Sequence, residues 1–152
     1  MNCRIAALAA LFVLVGSSAR SAETVTEECP NAKLFRHRTY QDAWRASQKS
    51  NRPVLIYVSM PQCAHCVRML EQTYGSGEVT QLVDDSFETV SVDRYRDAEL
   101  VGKLHIKWYP TTILVGTNNK VLAKLEGYIE PQQFKRKIKT NLAVQTAATA
   151  TR

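Results

Sequence analysis

The sequence predicts one α/β domain built on a central mixed sheet with helices on both faces. Two observations carry this. Val54-Leu55-Ile56-Tyr57-Val58 is a short, nearly continuous apolar run of the kind that forms a strand buried on both faces. Around it, strand and helix patterns follow in the order strand, helix, strand, helix, hairpin, helix, which calls for parallel and antiparallel pairing in one layered sheet. The length of 152 residues, with 45% hydrophobic and 22% charged, suits one ordinary globular domain and excludes a disordered or fibrous polymer.

The elements follow in chain order. From Glu23 to about Arg38 the chain is polar and lacks clear periodicity, which predicts a leader that packs loosely or adds a short edge strand. Thr39 is an N-cap with Asp42 three residues on, and Tyr40, Ala43, Trp44 and Ser47 follow at helical spacing, so a helix runs to about Ser50. Asn51-Arg52-Pro53 breaks it before the strand from Val54. Past Cys66, the spacing of Val67, Met69, Leu70, Thr73 and Tyr74 predicts a helix that stops at Gly75-Ser76-Gly77. A helical stretch from about Glu78 to Asp85 leads to a strand from Phe87 to Asp93, then a helix from about Asp97 to Leu104. Thr111 to Val115 and Val121 to Leu125 flank the turn-forming Gly116-Thr117-Asn118-Asn119-Lys120 and read as an antiparallel hairpin. The last helix spans about Pro131 to Leu142, with Phe134, Ile138 and Leu142 on one side. The predicted organisation is a signal peptide over 1–21, a polar leader over 22–38, the domain over 39–142 and a disordered Ala-Thr-rich tail over 143–152.

The signal peptide is read from Arg4, the apolar run from Ile5 to Val15 and the small residues Gly16 to Ala19. That run is shorter than the roughly 20 residues of a bilayer span. An exported chain, periplasmic or secreted, without stable membrane insertion after cleavage is therefore expected. The net charge of +6 is modest, and its cluster at Lys135, Arg136, Lys137 and Lys139 suits a solvated helix face. No aromatic stacking motif accompanies the charge, so nucleic acid is not an expected partner.

Of four cysteines, Cys3 leaves with the signal peptide, and the three that remain cannot form a closed set of disulfides. Cys63-Ala64-His65-Cys66 supplies the chemistry. Cysteines three apart at a helix start share a side and are bridged with little backbone movement. The first sulfur faces unpaired N–H groups and the positive end of the helix dipole, which favour its thiolate. Cys63 is thus the expected nucleophile, and Cys66, deeper in the helix, the resolving thiol. His65 can favour the thiolate further, which shifts the pair toward a more oxidising potential. Protein thiols or disulfides, with a redox partner for recycling, are the expected partners, and no cofactor or metal is expected. A structural zinc site lacks a second ligand pair, His37 and His105 being isolated. A copper-binding metallochaperone and a redox-silent interaction module stand as alternatives. Cys29 is the leftover thiol, either a free leader residue or a contact to a partner or second subunit.

Over nearly the whole stretch from Thr39 to Ala143 the chain resembles the thioredoxin superfamily. The resemblance rests on Pro53 to Val58 before the Cys pair, on Ile106-Lys107-Trp108-Tyr109-Pro110-Thr111, and on the hairpin, Gly127 and the final helix. The Gly75 to Val79 break and the Gly127 to Pro131 run look most like the exported branch, which includes the C-terminal domains of bacterial transmembrane disulfide reductases. The resemblance implies that Pro110 is a cis-proline packed against the cysteines and that Tyr109 pairs with an extended substrate peptide. It also implies departures. Gln62 stands where thioredoxin has Trp, Ala64-His65 where it has Gly-Pro, and Tyr57 where it has a buried acid. The His before the second Cys is similar to disulfide-forming and isomerising members, whereas the exported branch suggests a reductase. The direction of electron flow stays open.

Overall fold

The computed structural model describes residues 33–150, with side chains as far as residue 145. The expected signal peptide, the leader up to residue 32 with Cys29, and residues 151–152 lie outside the described residues.

Helix α1 (Tyr40–Ser50) starts where its cap dictates. The Thr39 hydroxyl accepts from the Asp42 backbone N–H at 3.1 Å and donates to the Asp42 carboxylate at 2.7 Å. It ends at Asn51, whose φ of 56° is a left-handed conformation that asparagine tolerates better than most residues. Strand β1 (Val54–Ser59) follows and pairs in parallel with β2 (Glu88–Asp93) and antiparallel with β3 (Thr111–Val115). Strand β4 (Val121–Glu126) pairs antiparallel with β3, giving the order β2-β1-β3-β4. The remaining helices are α2 (Ala64–Arg68), α3 (Gly77–Ser86), α4 (Ala98–Lys103) and α5 (Pro131–Ala150). This is the mixed sheet with helices on both faces that the sequence predicts.

Period-two alternation along β1 divides the core. Leu55 and Tyr57 face a layer made by Met69, Tyr74, Val79, Val83, Phe134 and Ile138. Val54, Ile56 and Val58 face the other layer, where Ala43 of α1 and Val101 of α4 meet Val90, Val92 and Ile113. All five of these β1 side chains are fully buried, each contributing about 1.5–3 kcal/mol of burial free energy on the usual scale.

Two features differ from the sequence reading, and a third favours one of its alternatives, a leader that adds an edge strand. The helix after Cys66 is not uniform: α2 passes into a π-helical segment, Met69–Tyr74. The widened turn lets the adjacent residues Thr73 and Tyr74 both enter the core, where the Thr73 hydroxyl donates to the Ile129 carbonyl at 2.6 Å and the Tyr74 hydroxyl pairs with Thr112 Oγ1 at 2.8 Å. Helix α5 continues past Leu142, through a stretch read as a disordered tail, to Ala150. Residues 143–150 contain four alanines and no glycine or proline, so nothing in that stretch stops a helix already begun. Finally, the end of the leader is fastened to the domain. Leu34 is 5% exposed, and His37 forms a parallel bridge with Val90 on the free edge of β2.

Charge explains that fastening. Glu88 opens β2 and is buried, 4% exposed, yet it is a carboxylate. Its Oε2 meets His37 Nε2 at 2.7 Å and Arg36 Nη2 at 3.9 Å, and its Oε1 accepts from Arg52 Nη2 at 2.5 Å. Arg36 also donates to the Phe87 carbonyl. Burial alone would raise the Glu88 pKa, but hydrogen bonds from His37, Arg52 and Ser50 and the charge of Arg52 hold it down to about 2.

A carboxylate with a depressed native pKa adds stability above its unfolded value, and that stability is lost as pH falls through the native value. Glu88 should therefore contribute on the order of 3 kcal/mol at neutral pH, lost between about pH 5 and pH 2. Urea unfolding of wild type and Glu88→Gln across that window measures it. The variant should be less stable at neutral pH and its acid dependence flatter. Parallel curves would refute the assignment.

Candidate active site

Cys63 and Cys66 lie where β1 hands the chain to α2. Pro61 and Gln62 make the turn, and Gln62 takes a φ of 57° immediately before Cys63. Cys63 is the N-cap of α2. Its carbonyl accepts from the N–H groups of Cys66 at 2.9 Å and Val67 at 3.1 Å, while its sulfur accepts from the Cys66 N–H at 3.1 Å. The two sulfurs are joined as a disulfide with Cα atoms 5.2 Å apart, within the range a disulfide spans. Cys66 is 4% exposed, whereas Cys63 is half-buried and His65 exposed. A thiolate at Cys63 would receive the same amide N–H that its sulfur accepts in the disulfide, and a partner sulfur can approach Cys63 far more readily than Cys66.

Beneath the pair, Tyr57 is fully buried on β1 and its hydroxyl donates to the Cys66 carbonyl at 2.9 Å. Its ring stacks on Phe35 at 5.4 Å and meets Tyr74 edge-on at 5.3 Å. Tyr74 in turn packs edge-on against Phe134, and burial pushes its phenol pKa up. The first turn of α2 thus rests on an aromatic stack that runs into the core of the domain. A cleft of about 600 Å³ reaches Tyr57 between Leu70, Ser91 and the segment from Phe35 to Thr39.

The register brings the second part of the site to the same end of the sheet. Val58 pairs with Thr111 and Ser59 with Asp93, so the segments before β3 and after β2 flank the exit of β1. The Tyr109-Pro110 peptide bond is cis, and Pro110 is buried. The Thr111 hydroxyl donates to the Trp108 carbonyl at 2.6 Å, and Gly127 N–H donates to the Pro110 carbonyl at 2.8 Å. Gly127 has a φ of 79° with open space where a Cβ would stand, so backbone conformation and not crowding calls for glycine there. On the other side of α2, Arg68 lies over the Tyr128 ring at 4.1 Å and reaches Glu130 at 3.3 Å, tying the helix to the segment after β4. Among the described residues, no group of three or more His, Cys, Asp or Glu side chains is placed to hold a metal ion.

The structure therefore gathers Cys63, His65, Cys66, Tyr109 and Pro110 at one end of the sheet. Sequence reasoning did not place Arg94 and Tyr95 there. Their position follows from the parallel pairing of β1 with β2, which the buried run of β1 alone suggests only in general terms.

A protein-family model described as a thioredoxin-like domain matches residues 40–141. Similar solved structures include one described as DsbH oxidoreductase, 19% identical, covering 72% of this chain and 85% of that one with a TM-score of 0.62. A thioredoxin from Thermus thermophilus is 20% identical over 68% of this chain and 83% of that one, with a TM-score of 0.62. The reduced C-terminal domain of Neisseria meningitidis DsbD is 20% identical over 66% of this chain and 92% of that one, with a TM-score of 0.58. At these identities the likeness is one of fold. No curated protein matches the chain.

Replacing Tyr57 by Phe keeps the aromatic stack and removes the hydroxyl that the Cys66 carbonyl accepts. We expect a loss of about 1 kcal/mol in urea unfolding, and about 3–5 kcal/mol for Tyr57→Ala, which also removes the ring. Equal losses for the two variants would show that the hydroxyl, not the ring, carries the support.

Proposed function

The chain belongs to the thioredoxin-like domain family, and from that premise we propose that it is an exported thiol-disulfide oxidoreductase exchanging disulfides with protein substrates through Cys63 and Cys66. The observation that supports it most is the pair itself: two cysteines joined across the first turn of α2, one accessible and one buried. In the reducing direction, the Cys63 thiolate attacks one sulfur of a substrate disulfide and expels the other as a thiolate. Cys66, as thiolate, then attacks Cys63 Sγ, which forms the Cys63–Cys66 disulfide and releases the second substrate thiolate. Two electrons pass from the pair to the substrate. Oxidation of a substrate dithiol is the same sequence reversed, and a separate dithiol or disulfide protein resets the pair.

Tyr109 and Pro110 are the groups we assign to presenting an extended substrate segment to Cys63, the backbone of Tyr109 pairing with it as an added strand. His65, exposed beside the pair, is assigned to tuning the thiolate. The export assignment rests on the N-terminal pattern of Arg4, the apolar run and the small residues after it, with cleavage near residue 21. Among the described residues no helix is long and apolar enough to cross a membrane.

Cys66→Ser should accumulate mixed disulfides with substrate proteins, visible as adducts on non-reducing gels, while Cys63→Ser should accumulate none. Equal trapping by the two variants would overturn the assignment of roles. Equilibration with glutathione gives the potential of the couple: about −270 mV marks a thioredoxin-like reductant and about −120 mV a strong oxidant. His65→Ala should make it more negative by about 10 to 20 mV, because the stabilisation it removes exists only in the reduced state. An unchanged potential would remove His65 from the mechanism.

A further inference from the structure

The end of the sheet that carries Cys63 is also where this chain leaves aromatic rings in water. Tyr95 is 65% exposed and Trp108 66% exposed. Tyr95 follows β2 and Trp108 precedes the cis bond, so they flank the exit of β1 from two sides. The link to the cysteine loop is direct, because the Arg94 N–H donates to the carbonyl of Ser59, the last residue of β1, at 2.9 Å.

Charge distinguishes the residues around these rings. Arg96 is neutralised by Asp97 at 2.7 Å and Arg68 by Glu130 at 3.3 Å. The Asp93 carboxylate is turned to backbone, accepting from the N–H groups of Tyr95 at 2.8 Å and Arg96 at 3.1 Å. Arg94 has no carboxylate partner among the described residues. Its guanidinium lies 5.5 Å from the centre of the Tyr95 ring and 5.5 Å from that of Tyr109, a position that aromatic faces stabilise without cancelling the charge. Lys107, next to Trp108, is likewise exposed and without an ion pair among the described residues.

We propose that Arg94, held between Tyr95 and Tyr109 and supported by Lys107, is a specificity determinant for protein substrates that carry a carboxylate side chain close to the reactive cysteine. This deepens the oxidoreductase reading and rests on it. A substrate strand laid along Tyr109 passes the Arg94 guanidinium, whose planar fork pairs with a carboxylate in two parallel hydrogen bonds. Trp108 and Tyr95 supply apolar contact beside that pair. The match is one of charge: Arg94, without a carboxylate partner among the described residues, lies against Tyr109, and an acidic flank meets it, whereas a basic flank meets repulsion.

The test uses disulfide-bonded peptides that differ only in the residues flanking one cysteine, Glu, Gln or Lys. Wild type should prefer the Glu peptide to the Lys peptide in kcat/KM by about threefold to tenfold at low salt, and the preference should shrink at high salt. Arg94→Glu should reverse it, and Arg94→Lys should retain part of it. Bis(2-hydroxyethyl) disulfide is linear and uncharged, and every variant, reduced beforehand, should exchange with it within about twofold of the wild-type rate. Exchange with this disulfide but no charge preference in wild type, or a preference that Arg94→Glu leaves in place, overturns the assignment of Arg94 alone. No exchange with it overturns the oxidoreductase reading and this proposal together.

Discussion

Strand β1 lies between two apolar layers and has a paired neighbour on each side, and this double confinement fixes where Cys63 emerges. With Val54 to Val58 buried on both faces, a slip of one residue would exchange Leu55 and Tyr57 with Val54, Ile56 and Val58 and disrupt both cores at once. The register is therefore set by the packing of five side chains. The loop that follows, and the helix that begins at Cys63, inherit that position.

The neighbours of β1 add what the strand itself lacks. Parallel pairing with β2 places the segment from Arg94 to Asp97 beside the exit of β1, and antiparallel pairing with β3 places Trp108 to Pro110 on the other side. Three stretches far apart in sequence so converge on one end of the sheet through backbone hydrogen bonding. Tyr57 joins the two roles. It is a core residue of β1 and also the hydrogen-bond donor to the Cys66 carbonyl, so the support of the helix start is continuous with the aromatic stack below it.

Much of this was legible in the sequence, and the exceptions have physical reasons. The Thr39 cap, the apolar run of β1, the hairpin turn and the phase of Phe134 and Ile138 are local signals, and each element they predict is present. The π-helical segment has no such signal, because its composition from Met69 to Tyr74 is that of an ordinary helix and only the packing of Thr73 and Tyr74 favours the wider turn. The end of the leader looked polar because Arg36 and His37 are polar. They are nevertheless held against the domain, since Glu88 is a buried charge that must be matched. Helix α5 outran its expected end because amphipathic periodicity stops at Leu142 while helix propensity does not. At the candidate site the close cysteine pair was readable from its spacing, and the cis bond at Pro110 only from the family resemblance. Arg94 was not, since its place depends on which strands pair.

The clamp on Glu88 bears on where the domain begins. The family match starts at residue 40, yet Arg36 and His37, two of the four positive or proton-donating side chains on Glu88, precede it, as does Phe35 on the Tyr57 ring. A chain cut at Thr39 would keep every matched residue while leaving a buried carboxylate with one guanidinium and one hydroxyl, and an aromatic stack open at one end. The folded unit thus reaches at least to Leu34, upstream of the recognised one, and a charge balance on β2 holds that extension in place.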